Sequence, residues 1–230
     1  MDRRGCHPGR KVVCCDRHAR RGAGPNRRGQ TVGVHRLVVL SDTHLPTRSR
    51  DLPAGLWAAL DDLGPDDVAV HAGDWVDEAA LDLVLARLAP AGAVLLACWG
   101  NNDGPPLRAR LPEVARATIG GVRVAVVHET GPATGREARA AAGYGAETDL
   151  LVFGHSHIPW DTVTEVPGGR SLRLLNPGSP TDRRRQPFPS YLTAVLCDGA
   201  VSEVRFHRLP VRGGGGRVVP QADGTVRRRP

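Results

Sequence analysis

The sequence predicts a layered α/β fold, with two β-sheets packed together and helices on the outside. Two observations predict the layers. Through the first half, short apolar runs of strand character alternate with segments of helical periodicity, whereas the second half is mostly strand. That mixture does not suit a single doubly wound sheet. A third observation concerns chemistry: five of the apolar runs end in residues that carry oxygen or imidazole donors. Such a pattern describes a metal site assembled at strand ends.

The first strand is the run Leu37-Val38-Val39-Leu40, which delivers Ser41-Asp42-Thr43-His44, a carboxylate and an imidazole two positions apart. Residues 53–63 read as a helix opened by Pro53, with Leu56, Trp57 and Leu60 on one face. A Gly-Pro-Asp-Asp turn at 64–67 leads into Val68-Ala69-Val70-His71-Ala72-Gly73-Asp74. The second helix, 77–88, carries Ala80, Leu81, Val84, Leu85 and Leu88 as its apolar stripe. Asp77 suits its N-cap. The next strand, 94–98, runs into Trp99-Gly100-Asn101-Asn102-Asp103, followed by an expected loop rich in Pro105, Pro106 and Pro112. Residues 114–119 and 122–127 form a hairpin across Gly120-Gly121 and end at His128. Residues 134–142 read as a third helix with Thr134 near its cap. The run 150–153 then ends in Gly154-His155-Ser156-His157. Beyond it, 161–166, 171–175, 191–197 and 201–207 read as strands separated by Gly/Pro turns.

Charge divides the chain into three. Residues 1–33 hold nine basic and two acidic residues, and residues 211–230 hold five Arg and one Asp. The span between them has 17 Arg against 21 acids, so the overall +7 belongs to the ends. A basic nucleic-acid groove on the folded span is not supported, and the expectation is no specific nucleic-acid binding by this core. Residues 1–33 are expected to be a disordered basic leader, 34–210 the folded domain, and 211–230 a disordered Gly/Arg-rich tail. Cys6, His7, Cys14, Cys15 and His18 match no common zinc spacing. A single Lys against thirty Arg suggests a GC-rich genome, in which Val32 or Val34 is a candidate start and Met1 a mis-assigned one. The cysteines do not make a disulfide framework, which fits a reducing compartment. No apolar run approaches the roughly 18 residues of a membrane span, and no secretory signal is evident. The expected location is the cytoplasm, with no membrane partner.

Taken in order, Asp42-Thr43-His44, Gly73-Asp74, Gly100-Asn101-Asn102-Asp103, His128 and Gly154-His155-Ser156-His157 resemble the motifs of the calcineurin-like metallophosphoesterase superfamily. The short length and Asn176-Pro177-Gly178-Ser179 make the chain similar to the small bacterial and archaeal phosphodiesterase branch. The resemblance covers roughly 34–208. It implies a four-layer α/β/β/α sandwich of two mixed sheets flanked by helices. It also implies two divalent metal ions, with manganese the first choice and nickel, iron or zinc the alternatives. Asp42, His44, Asp74 and His157 would hold one ion; Asp74, Asn101, His128 and His155 would hold the other, Asp74 bridging. A thiolate-free set of carboxylate and imidazole suits these metals on its own chemistry. The implied reaction is in-line attack on a small phosphodiester by a metal-bridging hydroxide. The family also allows a homo-oligomer.

Asn102 and Asp103 are the candidate catalytic residues beside the ligands. Larger family members usually carry His where Asn102 stands; Asn hydrogen-bonds but delivers no proton, which points to good leaving groups. Asp103 is expected to orient His44 or another ligand, or to cap its loop. Glu129-Thr130-Gly131 follows His128 where the family usually has Gly at once. His71 is expected to be a packed structural histidine, Arg183-Arg184-Arg185 a solvated run, Asn176-Pro177-Gly178-Ser179 a turn whose amides could line the pocket, and His35 and His207 incidental. The alternative from another class is a protein-binding scaffold, as with the retromer subunit that shares this fold. Such scaffolds lose ligand histidines, whereas every ligand position is filled here. The DNA-repair nucleases of the family carry extra regions for which 34–208 has no room.

Overall fold

The computed structural model describes residues 33–211. The leader, zinc-spacing and start-site expectations for residues 1–32 lie outside the described residues, as does the tail beyond 211.

The chain order is β1 (His35–Leu40), α1 (Ala54–Asp61), β2 (Val68–Ala72), α2 (Glu78–Leu88), β3 (Val94–Cys98), α3 (Pro105–Arg110), β4 (Val114–Ile119), β5 (Val122–Val127), α4 (Arg136–Tyr144), β6 (Leu150–Val152), β7 (Trp160–Val166), β8 (Arg170–Asn176), β9 (Ser190–Cys197) and β10 (Ala200–Arg208). They form two five-stranded sheets, ordered β10-β9-β1-β2-β3 and β4-β5-β6-β8-β7. Both are mixed. β1, β2 and β3 are parallel, as are β5, β6 and β8, while β9, β10, β4 and β7 join antiparallel.

The period-two alternation of strand side chains builds the layers. Leu37 and Val39 of β1 meet Val122, Val124 and Val126 of β5 between the sheets. Their neighbours Val38 and Leu40 point the other way, onto Leu56 and Leu60 of α1 and Leu81, Val84 and Leu88 of α2. On the second sheet, Ala125, Val127, Leu151 and Phe153 face Ala140 of α4. A strand buried on both faces is apolar nearly throughout, which is why residues 37–40 of β1 and all of β6 read as unbroken apolar runs and β2 is interrupted by His71 alone. The result is the predicted α/β/β/α sandwich.

Two local expectations are corrected. The proline-rich stretch expected as a loop opens α3, with prolines at its first two positions, where an absent N–H costs no helical bond. Buried Leu107 anchors it. The third expected helix runs two residues later than predicted. Gly135, at φ 71°, turns the chain into α4, and Thr134 caps nothing. Asp77 does cap α2, accepting from the Ala79 amide at 2.9 Å. Among the described residues no helix is long and apolar enough to cross a membrane.

Candidate metal centre

Because β1, β2 and β3 run parallel, their C-terminal ends lie side by side, and the same holds for β5 and β6. Every sequence-predicted ligand stands just beyond one of these ends. The loops are laced together by backbone bonds: the Asp42 amide donates to Gly73 O (2.9 Å), His44 to Asp74 O (3.0 Å) and Gly154 to His128 O (3.0 Å). Gly154 permits the closest approach. A Cβ there would lie 2.0 Å from Ser41 Oγ and 2.9 Å from Asp42 Oδ2.

The backbone at the ligands is strained. Asp42 (φ 55°), His44 (45°), Asp74 (61°), His155 (67°) and His157 (58°) all occupy the left-handed region, as does Val76 (81°). Each costs on the order of 1–3 kcal/mol and persists only where its surroundings over-determine it. Here the sharp turn off each strand aims the ligand back over the sheet edge.

Donor atoms converge in two sets. Asp42, His44 and His157 bring their ligand atoms within 4.8 Å of one another, and so do Asp42, Asp74 and His128. Asp74 Oδ2 lies between the sets, 3.5 Å from His44 Nε2 and 3.3 Å from His128 Nε2. His157 Nε2 is 3.3 Å from Asp42 Oδ1. Asn101 Oδ1 joins the second set, 2.9 Å from His128 Nε2 and 2.8 Å from His155 Nδ1. Thus all seven predicted ligands come together. Asp42, His44, Asp74, His128 and His157 are buried, whereas the His155 side chain is 41% exposed and forms the mouth with exposed Asn101 and Asn102.

The donor set fits a cation. The Nε2 atoms of His44 and His157 are buried beside carboxylates and make no hydrogen bond. A buried polar atom without a partner is expensive, and a ligand explains it. The ring orientations agree. His128 Nδ1 donates to Ala72 O (2.7 Å) and His157 Nδ1 to Asp182 O (2.5 Å); carbonyls only accept, so the neutral rings of both present an Nε2 lone pair inward.

Electrostatics agree at Asp74 and His44, whereas at His128 protonation competes with a cation. Burial opposes the charge on Asp74, but His128 and the Asn102 amides outweigh it and hold the carboxyl well below the usual range. Burial likewise opposes a charged His128, yet Asp74, Asp42 and the Ala72 carbonyl hold its pKa above the ordinary value. His44 is pushed down, burial outweighing the two carboxylates. Asp74 therefore stands ionised and His44 favours the neutral form, the states a cation requires.

Asn102 and Asp103 take different places. Asn102 is exposed at the mouth, and both its backbone N–H (2.8 Å) and its side-chain amide (2.6 Å) donate to the Asp74 carboxylate. Asp103 lies buried behind the loop, away from His44. Its carboxylate accepts from the amides of Asp74 (3.1 Å), Gly100 (2.7 Å) and Val76 (2.7 Å). It holds the Asp74 turn, so among the roles expected of it the structure shows the orienting of a ligand other than His44. His71 is fully buried, stacked on Trp75 with ring centroids 3.4 Å apart, with ring nitrogens bonded to Thr43 and the Gly73 amide. It is the structural histidine expected.

Sequence reasoning missed how the Asn176 loop works. Asn176 is wholly buried, and its amide donates to Gly154 O (2.8 Å) and Ser156 Oγ (3.2 Å). Ser179 Oγ donates to Asp42 O (2.8 Å), and Thr181 Oγ1 to Thr43 O (2.7 Å). The loop clamps two ligand loops from outside. An Asn closing an apolar run was the available signal, but the groups its side-chain amide donates to are at least twenty residues away. Of the arginine run, Arg184 and Arg185 are exposed and Arg183 bonds the Gln186 carbonyl.

Oxygen and imidazole donors without thiolate, set at the strand ends of a two-sheet sandwich, define a candidate metal-binding protein. Comparison with known proteins narrows the class. Residues 36–199 match the family model of the calcineurin-like phosphoesterase superfamily domain. A probable metallophosphoesterase of Methanocaldococcus jannaschii is 33% identical over 151 residues, 65% of this chain and 70% of that protein. Another, from Methanothermobacter thermautotrophicus, is 32% identical over 150 residues, 63% of this chain and 77% of that protein. Among solved structures, a Thermotoga maritima protein aligns with a TM-score of 0.57 at 27% identity, covering 76% of this chain and 99% of its own. Zinc-complexed Vps29 of Entamoeba histolytica aligns with a TM-score of 0.56 at 22% identity, covering 76% and 98%, a likeness of fold. The chain belongs to the calcineurin-like phosphoesterase superfamily.

Proposed function

We propose that this phosphoesterase is a phosphodiesterase with a two-metal centre, acting on a small diester in the cytoplasm. The observation that supports it best is Asp74, ionised between two groups of donors, with His44 on one side and His128 on the other. Asp42, His44, Asp74 and His157 would hold one divalent ion; Asp74, Asn101, His128 and His155 the other. Manganese is the first choice of metal, with nickel, iron or zinc as alternatives. When bound, two such ions supply Lewis-acid charge to the phosphoryl group and lower the pKa of the attacking water.

The chain's own residues do the rest. Asp42 and Asp74 offset only part of the charge of two divalent ions, so the site favours an anionic ester over a neutral one. Asn102 orients Asp74 through two donated bonds and has no proton to give, so leaving groups that depart as stable anions are preferred. Exposed His155 and Asn101 leave the second donor set open to substrate. The span 34–210 carries more acidic than basic residues, which supports the reading that the core binds no nucleic acid specifically.

The test is hydrolysis of bis(p-nitrophenyl) phosphate by metal-stripped protein with Mn, Ni, Zn or Mg restored, beside Asp74→Ala and His128→Ala. The expected result is metal-restored turnover that falls by at least about a hundredfold in both variants. Turnover that survives either substitution would refute the two-metal reading. A scaffold role is the second reading, favoured by Asn102 in the place of a proton donor and by the fold shared with Vps29. Folded, metal-binding protein without turnover on any metal would select it.

A further inference from the structure

Arg136 opens α4 and is only 4% exposed, yet among the described residues it has no carboxylate in ion-pair contact. Its Nε and Nη1 are buried without a hydrogen-bond partner, and Glu137, the next residue, is bonded to Thr162. Burying an unpaired guanidinium costs stability, so a side chain kept this way calls for an explanation. What surrounds it supplies one. The guanidinium carbon lies 4.8 Å from the Phe153 ring centroid and 4.7 Å from that of Trp160, two cation–π contacts at once. Phe153 stands two residues before His155, and Trp160 three residues after His157. Arg136 Nη2 also donates to Gly131 O (3.3 Å), three residues past His128. Trp160 is itself pinned, its Nε1 donating to Thr162 Oγ1 (2.9 Å).

We infer that Arg136 is a positioning residue for the metal centre, clamping the loop after His128 to the loop that carries His155 and His157. This rests on the assignment of those histidines as ligands. His155 and His157 sit at φ 67° and 58°, conformations a free loop abandons. Asn176 holds that loop through Gly154 O and Ser156 Oγ. Arg136 holds the aromatic residues that flank it. A Lys cannot substitute, because it lacks the planar face that stacks on both rings and the fork that reaches Gly131.

The test compares Arg136→Met and Arg136→Lys with the unaltered protein in thermal unfolding and in calorimetric titration with Mn²⁺. Arg136→Met fills similar volume without the unpaired charge. Its melting temperature is expected to equal or exceed the starting value, while Mn²⁺ affinity falls about 10- to 100-fold, the usual effect of losing a group that orients ligands. Arg136→Lys is expected to lose affinity as well, and it carries the test if the Met variant does not fold. Residues that only pack behave oppositely: a lower melting temperature with unchanged Mn²⁺ affinity would overturn the inference. The readout is independent of turnover. Unaltered protein that binds Mn²⁺ without hydrolysing a diester would refute the proposed reaction and leave the clamp standing.

Discussion

Replacing Asp103 by Asn tests whether the site depends on the buried carboxylate behind the Asp74 turn. Its two oxygens take three backbone N–H groups, from Asp74, Gly100 and Val76, and two of those residues lie in the left-handed region. In Asn, one oxygen becomes a donor. The better placement keeps the oxygen toward Asp74 and Gly100 and sets the new NH₂ against the Val76 amide, donor to donor. The cost combines one lost charge-assisted bond, about 1.5–3 kcal/mol, with a stranded amide, about 1–3 kcal/mol. Against this, burial already disfavours the Asp103 charge and raises its pKa, so a neutral side chain recovers part of the loss. The balance is a destabilisation of about 2 kcal/mol, with weaker Mn²⁺ binding as the Asp74 turn relaxes. Urea unfolding and Mn²⁺ titration read the two effects. An Asp103→Asn protein as stable as the original, with the same Mn²⁺ affinity, would refute the claim that this carboxylate holds the turn.

Two further outcomes are expected. Gly154→Ala drives a methyl into Ser41 Oγ and the Asp42 carboxylate, so it should destabilise by about 3 kcal/mol and abolish Mn²⁺ binding; a soluble Gly154→Ala variant that still binds the metal would show that the loops are not so closely nested. Acid stability should depend on Asp149, whose carboxyl Arg123 holds below the usual carboxylate range. Depressed in the folded state, it contributes stability that is fully present above the unfolded pKa and is lost as pH falls through the folded one. Asp149→Asn should therefore flatten the acid limb of a plot of unfolding free energy against pH, and an unchanged slope below about pH 4 would count against the pair.

The primary sequence determined more of the site than of its support. Each metal-ligand candidate follows an apolar run, and in a parallel sheet consecutive run-ends must share an edge, so Asp42, Asp74 and Asn101 were legible as neighbours from the chain alone. The same patterning could not show α3, since proline reads as a breaker unless the buried side chain that follows, Leu107, is known to need a helix. Nor could it show which groups hold the ligands. Asp103 grips Val76 across 27 residues, Asn176 reaches Gly154 across 22, and Ser179 reaches Asp42 across 137. Local patterning records the period of a strand and the donors at its end, because both arise from adjacent residues. The hydrogen bonds and stacked rings that hold those donors in left-handed turns join distant segments, brought into reach by strand pairing within each sheet and, for Ser179 and Asp42, by the packing of one sheet on the other.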